Sequence, residues 1–471
     1  MWNRHLLLLA AFTTGIMGTV IGMQVLSHPP GSAQEQSQDP QLEDLDQDVV
    51  ALLELASSNP LVKQDALEYV DQFWQPAFAP MLIEMLSLVR DPRFIRDAIH
   101  LLEIKTGEEH GYDLDAWFQW LWSQPPLEHP DYAAFKSVFY GSLDPRFRDY
   151  FTNDRLRTIR LDEVRWGGVR QDGIPPLRSP KMISAEEADY LEEDNVVFGI
   201  AVNGDVRAYP KRILAWHEMF VDTVGGVPVA GVYCTLCGTM ILYETEVNGV
   251  NHEFGTSGFL YRSNKLMYDQ ATQSLWMTLL GQPVIGPLVE EEITLNFGSV
   301  VTTTWGEWQR RHPDTLVLSL DTGHERDYGE GVAYQEYFAT DELMFEVPEL
   351  DNRLNNKSEV LGLLFPEYDS QPLAISAEYL SQHPLYQDQL GDLELVVLTD
   401  PSGANRVYES QGIQFATYDG DLTLEDSEGQ TWKLSEDALT GPEDQKLQRL
   451  PAYRAFWFGW YSAYGQTRLV Y

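Results

Sequence analysis

The stretch Gly231-Val-Tyr-Cys234-Thr-Leu-Cys237-Gly238-Thr-Met-Ile-Leu-Tyr243-Glu244 has a counterpart in its own chain, Leu395 to Glu409. Val232 falls on Val397, Gly238 on Gly403, Leu242 on Val407, Tyr243 on Tyr408 and Glu244 on Glu409. The correspondence continues outward in order. Phe254 meets Phe415, Thr256 meets Thr417, Trp276 meets Trp432, and Gly286-Pro287 meets Gly441-Pro442. Trp305 and Trp308 then meet Trp457 and Trp460, and Thr315 meets Thr467. The offset shrinks from 165 to 152 residues, as a duplication with deletions in the second copy would leave it. Short runs of Val, Ile, Leu and Tyr, broken by Asn203-Gly204 and Asn248-Gly249, predict strands and tight turns. Examples are Val196 to Val202, Val227 to Tyr233 and Met240 to Tyr243. The expected fold class is α+β: a helical, HEAT-like N-terminal region followed by a duplicated, β-rich module pair. The modules span residues 150–345 and 355–471, and the paired tryptophans belong to their cores.

The helical region covers residues 34–149. Asn59-Pro60 and Asp91-Pro92 each read as an N-cap followed by Pro at the first helical position. The residues after them match at an offset of 32, with a helix from Met81 to Val89 between. Such a helix-pair unit resembles a HEAT-type repeat, and a plain bundle is the alternative. Trp117, Trp120 and Trp122 are assigned to its core. The region offers a surface for a protein partner and carries no evident chemistry.

Residues 1–33 form an N-terminal signal anchor or signal peptide with a short linker. Leu6 to Leu26 carry no charged side chain, long enough to span a bilayer. Positive charge precedes the stretch and acids follow it, which puts the rest of the chain outside the cytoplasm, periplasmic or equivalent. An uncleaved transmembrane anchor is expected; cleavage after Ser32-Ala33 is the alternative.

The 471 residues include 72 acidic and 32 basic side chains, a net charge of −40. That balance argues against nucleic-acid partners and against a peripheral grip on anionic lipid, both of which need clustered Lys and Arg. Hydrophobic residues at 44% support real cores, so wholesale disorder is excluded. Two cysteines make no disulfide framework, so they form one site or none.

The copies differ where chemistry is expected. Cys234 and Cys237 are replaced by Thr399 and Ser402, and His217 has no counterpart. A Cys-x-x-Cys-Gly turn between two strands has the shape of a metal knuckle, because Gly238 lets backbone N–H groups approach the sulfurs. His217 is the first candidate to complete a metal site and His252 the second. Met267 adds a thioether, which favours copper(I) over zinc. The alternatives are a thiol–disulfide redox pair and an inert disulfide serving a non-enzymatic binding scaffold. Arg262, Asn264, Tyr268 and Asp269 read as a polar loop that lines a pocket or is merely solvated. No phosphate loop, Gly-x-Ser-x-Gly elbow or distinguishable carboxylate pair is present.

At these residues the chain resembles the bacterial domain-of-unknown-function family number 3179. The matching stretches are Ala208-Tyr209-Pro210, His217-Glu218, Val224 to Val229, Tyr233 to Thr239, Phe254 to Gly258, Leu266 to Asp269 and Ser274 to Trp276. With Trp305 to Thr315 and the Trp457 region, the resemblance covers roughly residues 150–471. It implies no activity. Thr235 stands where the family often has Pro, Val221 where Asn is usual, and Gln270 where Arg is usual. The last departure weakens an anion-binding role for the 262–269 segment.

Overall fold

The structure is a computed structural model that describes residues 45–368 and 371–471. The anchor stretch Leu6 to Leu26 lies outside the described residues. Among the described residues no helix is long and apolar enough to cross a membrane.

Among the described residues six helices come first: Gln47–Glu54, Pro60–Gln72, Phe78–Leu88, Pro92–Thr106, Leu114–Ser123 and Tyr132–Gly141. Asn59 Oδ1 accepts from Leu61 N and Asp91 Oδ1 from Arg93 N, so both Pro-led starts are capped by side chains. Glu84 anchors the region. Its carboxylate accepts from Tyr132, Tyr140 and the fully buried Lys136, whose ammonium also reaches Val164 O at 2.9 Å. That last bond ties the helices to the first β-strand, and one apolar core runs on from helices into sheets.

The β-rich part is mixed with short helices. Val196–Val202 pairs with Asp205–Pro210, and the helix Lys211–His217 follows directly. Tyr209-Pro210 therefore ends a strand. Three antiparallel strands come next, Met219–Val224, Val227–Cys234 and Thr239–Glu244. A second antiparallel set holds Phe254–Tyr261, Asn264–Asp269, Leu275–Met277 and Gln282–Ile285. Val301–Thr304 then returns beside Val196–Val202 and leads into the helix Trp305–Arg311. Leu316–Leu318 closes this part by pairing in parallel with Asp205–Pro210.

Residues 359–471 run through the same order of elements. Glu359–Leu363 pairs with Leu373–Ser376, and the helix Ala377–Gln382 follows. Eight antiparallel strands come next, from Leu385–Leu390 at one edge to Phe415–Tyr418 at the other. Phe415 N donates to Gln387 Oε1 at 2.6 Å, so the edges nearly meet and the sheet is close to a barrel. Tyr453–Phe456 returns beside Glu359–Leu363 and leads into the helix Trp457–Ala463. Arg468–Val470 closes in parallel with Leu373–Ser376.

The two parts also share packing detail. Trp308 Nε1 donates to Thr315 Oγ1 at 3.0 Å, and Trp460 Nε1 to Thr467 Oγ1 at 2.9 Å. Each indole lies against a glycine on the neighbouring strand, Gly199 and Gly362. The parts grip each other reciprocally. Phe456 N, in the second, donates to Cys237 O at 2.7 Å, while Ser402 Oγ of the second is 3.0 Å from Thr303 Oγ1 of the first.

Candidate functional site

Cys234 ends its strand, opposite Thr239, and the turn Thr235 to Gly238 carries Cys237. Gly238 has φ +62°, and a Cβ there would lie 2.9 Å from the Phe456 ring. Glycine is thus required twice over, by conformation and by space. Both cysteines are free thiols, 3% and 1% exposed. Cys237 Sγ lies 3.0 Å from Asn264 Oδ1 and within hydrogen-bond reach of Cys234, so its one S–H proton has two competing acceptors.

The two sulfurs are electrostatically unlike. Burial pushes the Cys234 thiol up, but hydrogen bonds from Cys237 and from the Lys265 amide outweigh it and leave the group below its ordinary range. Cys237 is raised well above its ordinary range, by burial first and then by its bond to Cys234 and that sulfur's charge. Cys234 is thus the sulfur that ionises more readily, and Cys237 the one that holds its proton.

Glu218 is the main polar neighbour. It caps the helix Lys211–His217 at φ +55°, a conformation that is unfavourable for a residue with a side chain. Its Oε1 accepts from Thr235 Oγ1 at 2.8 Å and from Tyr334 OH at 3.0 Å. Its Oε2 accepts from Lys265 Nζ at 2.9 Å, forming a buried ion pair under the cysteine turn. The segment 319–357 between the two β-rich parts covers the site. Tyr337 OH donates to Leu236 O at 2.7 Å, and Val347 is packed in the same apolar cluster as both cysteines. Helix Trp457–Ala463 covers another side, because Asn264 Nδ2 donates to Gly459 O and Ser462 Oγ.

The other residues expected from sequence are placed apart from the sulfurs. His217 is buried with both ring nitrogens engaged: Nδ1 lies 2.9 Å from Pro175 O and Nε2 2.6 Å from Tyr328 OH. A carbonyl can only accept, so Nδ1 carries the proton and Nε2 accepts from the tyrosine. Burial pushes its pKa down to about 4, so the ring is neutral at pH 7. His252 Nδ1 lies 2.9 Å from Asp269 Oδ2, and its Nε2 is buried without a partner. Met267 is buried in the apolar core, across from Thr256 and Trp276.

The polar loop expected at Arg262, Asn264, Tyr268 and Asp269 is instead a hairpin. Its turn is Arg262-Ser263, both at positive φ, and Asn264–Asp269 is a strand buried along its length. The polar groups satisfy one another inside the fold, which is why their polarity misleads. Tyr268 OH donates to Asp172 Oδ2, and Asp269 Oδ1 accepts from Thr272 N. Arg262 grips Glu163, with Nε 2.6 Å from Oε2.

Among the described residues, one group of three His, Cys, Asp or Glu side chains has all its ligand atoms within 4.8 Å: Asp46, Asp48 and His129. It lies in the helical region, far in sequence from the cysteines. Asp48 already accepts from Tyr69 OH and Gln75 Nε2.

The matching turn of the second β-rich part carries no thiols. Asp400 Oδ1 accepts from Ser402 N, Ser402 Oγ and Ala404 N, and its Oδ2 pairs with the buried Arg406 at 2.9 Å. A cleft of about 500 Å³ opens over that turn, lined by Ser381, Thr399, Asp400, Ser402, Tyr418 and Asp419 among others. Over the cysteine turn the covering segment supplies Tyr334, Tyr337 and Val347 instead.

Glu218, Lys265 and Tyr334 were not singled out by sequence reasoning. A signal for the first two existed. Glu218 caps its helix where His383 caps the corresponding helix of the second β-rich part, and Leu422 stands where Lys265 does, so neither charge recurs in the part without cysteines.

The family described as protein of unknown function (DUF3179) matches residues 171–467, most of the chain. No curated protein and no solved structure matches the chain.

Proposed function

The chain belongs to DUF3179, and for this member we propose that Cys234 and Cys237 form a thiol–disulfide redox pair, Cys234 attacking and Cys237 resolving. One observation carries this reading: two buried free thiols sit three residues apart in one turn, with Cys234 pushed below and Cys237 above the ordinary thiol range. A thiolate is the attacking species, and hydrogen bonds to it lower the cost of forming it in a buried place.

The exchange balances as follows. The Cys234 thiolate attacks one sulfur of a partner disulfide. The partner S–S bond breaks, and its other sulfur leaves as a thiolate that takes a proton from solvent. The Cys237 sulfur then attacks Cys234 Sγ, the mixed disulfide breaks, and the second partner sulfur leaves with the proton Cys237 gives up. The protein dithiol loses two electrons, and the partner disulfide becomes two thiols.

Equilibration against reduced and oxidised glutathione, followed by acid quench, alkylation and mass measurement, tests this. The expected result is reversible conversion of two alkylated thiols to none. Persistence of both thiols under strongly oxidising buffer would sink it. Elemental analysis on the same protein addresses the metal reading, which two adjacent soft sulfurs support. Stoichiometric copper or zinc that is lost in Cys234→Ser would favour that reading. Four-coordinate zinc needs two more ligands, and His217 would have to exchange its bond with Tyr328 to be one.

We further infer that residues 150–345 and 355–471 arose by duplication. The shared element order, the parallel closing strands and the two Trp–Thr hydrogen bonds support it. The capped Pro-led helix starts at Asn59 and Asp91 support a HEAT-like pair, and Leu61 and Ile104 stand exposed there for a protein partner. The charge-free stretch Leu6 to Leu26 supports an extracytoplasmic, membrane-tethered location.

A further inference from the structure

We propose that the buried Glu218–Lys265 ion pair sets the redox poise of the cysteine pair, the two side chains acting on the dithiol equilibrium in opposite directions. The inference rests on the redox reading above and adds the residues that tune it.

The geometry is specific. Lys265 contributes twice, its amide facing the sulfurs and its ammonium held 2.9 Å from Glu218 Oε2. The Glu218 carboxylate is fixed from the turn itself by Thr235 and from the covering segment by Tyr334. Both charged residues are buried, 8% and 4% exposed, where charges act over short distances with little screening. The negative charge of Glu218 bears on both sulfurs and opposes a thiolate at either.

The chain holds its own control. The second copy keeps the strands, the tryptophans and the glycine of the turn, yet has Thr399, Ser402, His383 and Leu422 where the first has Cys234, Cys237, Glu218 and Lys265. A buried ion pair is weak as a stabilising device, since apolar residues of similar volume commonly do as well. The second part has a buried pair of its own at the matching turn, Asp400 with Arg406, so what ties Glu218 and Lys265 to the thiols is their place: Glu218 is bonded to Thr235, between the two cysteines. Glu218 also holds φ +55°, a strain that persists at functional positions when the surroundings over-determine it.

The direction follows from charge. In the reduced state Cys234 is the sulfur that ionises more readily, and the disulfide has no ionisable sulfur. A carboxylate nearby disfavours the reduced state, and an ammonium favours it. Glu218→Gln therefore shifts the equilibrium toward the dithiol, and Lys265→Met shifts it toward the disulfide. The Lys265 amide remains in the second variant, so the loss is of charge alone.

The test is the glutathione equilibrium of the full chain at pH 7. Oxidation converts the two thiols and one glutathione disulfide into the protein disulfide and two glutathione thiols. We expect a shift of at least tenfold in each single variant, with opposite signs; tenfold is about 30 mV for this two-electron couple. Glu218→Gln combined with Lys265→Met leaves no buried charge unpaired and is expected within threefold of wild type. Single-variant shifts of the same sign, or below threefold, overturn the proposal. Should a single variant fail to fold, a departure of more than tenfold in the double variant overturns it equally. A wild-type chain that never forms the intramolecular disulfide would instead remove the redox reading itself.

Discussion

Cys237 and Gly459 meet across the boundary between the two β-rich parts: a Cβ built on Gly459 would lie 3.0 Å from Cys237 Cβ. The reactive turn of the first part is therefore packed directly against a helix of the second. The site needs both, and neither the turn nor the helix reads as a site alone.

That contact yields a first prediction. Gly459→Ala forces the turn or the helix to give by a few tenths of an ångström. Overpacking of this kind costs about 1–3 kcal/mol. Urea unfolding should show the loss, and alkylation of the cysteines in the native protein should quicken as the turn loosens. Unchanged stability and unchanged alkylation would mean that the contact relaxes freely.

The two cysteines should behave asymmetrically. Cys237→Ser should hold a stable mixed disulfide with glutathione, because Cys234 attacks and nothing resolves. Cys234→Ser should trap little, since burial, the largest influence on the Cys237 thiol, still holds it up when the neighbouring sulfur is gone. The lowered Cys234 group also adds stability that is fully present above its unfolded value and is lost as pH falls through the folded one. Mass measurement after exposure to oxidised glutathione checks the asymmetry; equal trapping in the two variants contradicts it.

His217 should make the fold sensitive to acid. Its pKa is about 4 when folded against an ordinary 6.5, because burial disfavours the charged ring. A lowered folded value means the unfolded chain binds the proton first. The stability is complete above 6.5 and lost progressively as pH falls toward 4, by about 3 kcal/mol. Urea unfolding between these pH values should be flatter in His217→Gln than in wild type by roughly that amount. Parallel profiles would show that the ring is not held neutral.

The matched tryptophans predict matched losses. An added methyl would lie 2.3 Å from the Trp308 ring at Gly199 and 2.2 Å from the Trp460 ring at Gly362. Gly199→Ala and Gly362→Ala should each destabilise by at least about 2 kcal/mol, since neither indole has room to retreat. Thermal melts of the two variants should fall together. A large loss in one and none in the other would mean that the two cores are not built alike.

Much of this architecture is written locally. Asn59-Pro60 and Asp91-Pro92 specify helix starts, because cap and ring act within one turn of chain. Val196 to Val202 specifies its strand to the residue through its run of β-formers. The cysteine spacing alone locates the turn.

What lies around the sulfurs was decided by the tertiary fold. Glu218 reaches Lys265 across 47 residues of chain and Tyr334 across 116, and Asn264 joins Cys237 to Gly459. Asn264–Asp269 reads as a solvated loop because its polar side chains have no partners until the sheets close over them. His217 reads as a ligand because a sequence shows the ring and not its direction, which Pro175 and Tyr328 set. Periodicity and caps are short-range properties of the chain. The hydrogen-bond partners of a buried polar group are chosen only when distant segments meet, because burial leaves each such group needing whichever partner the packing brings.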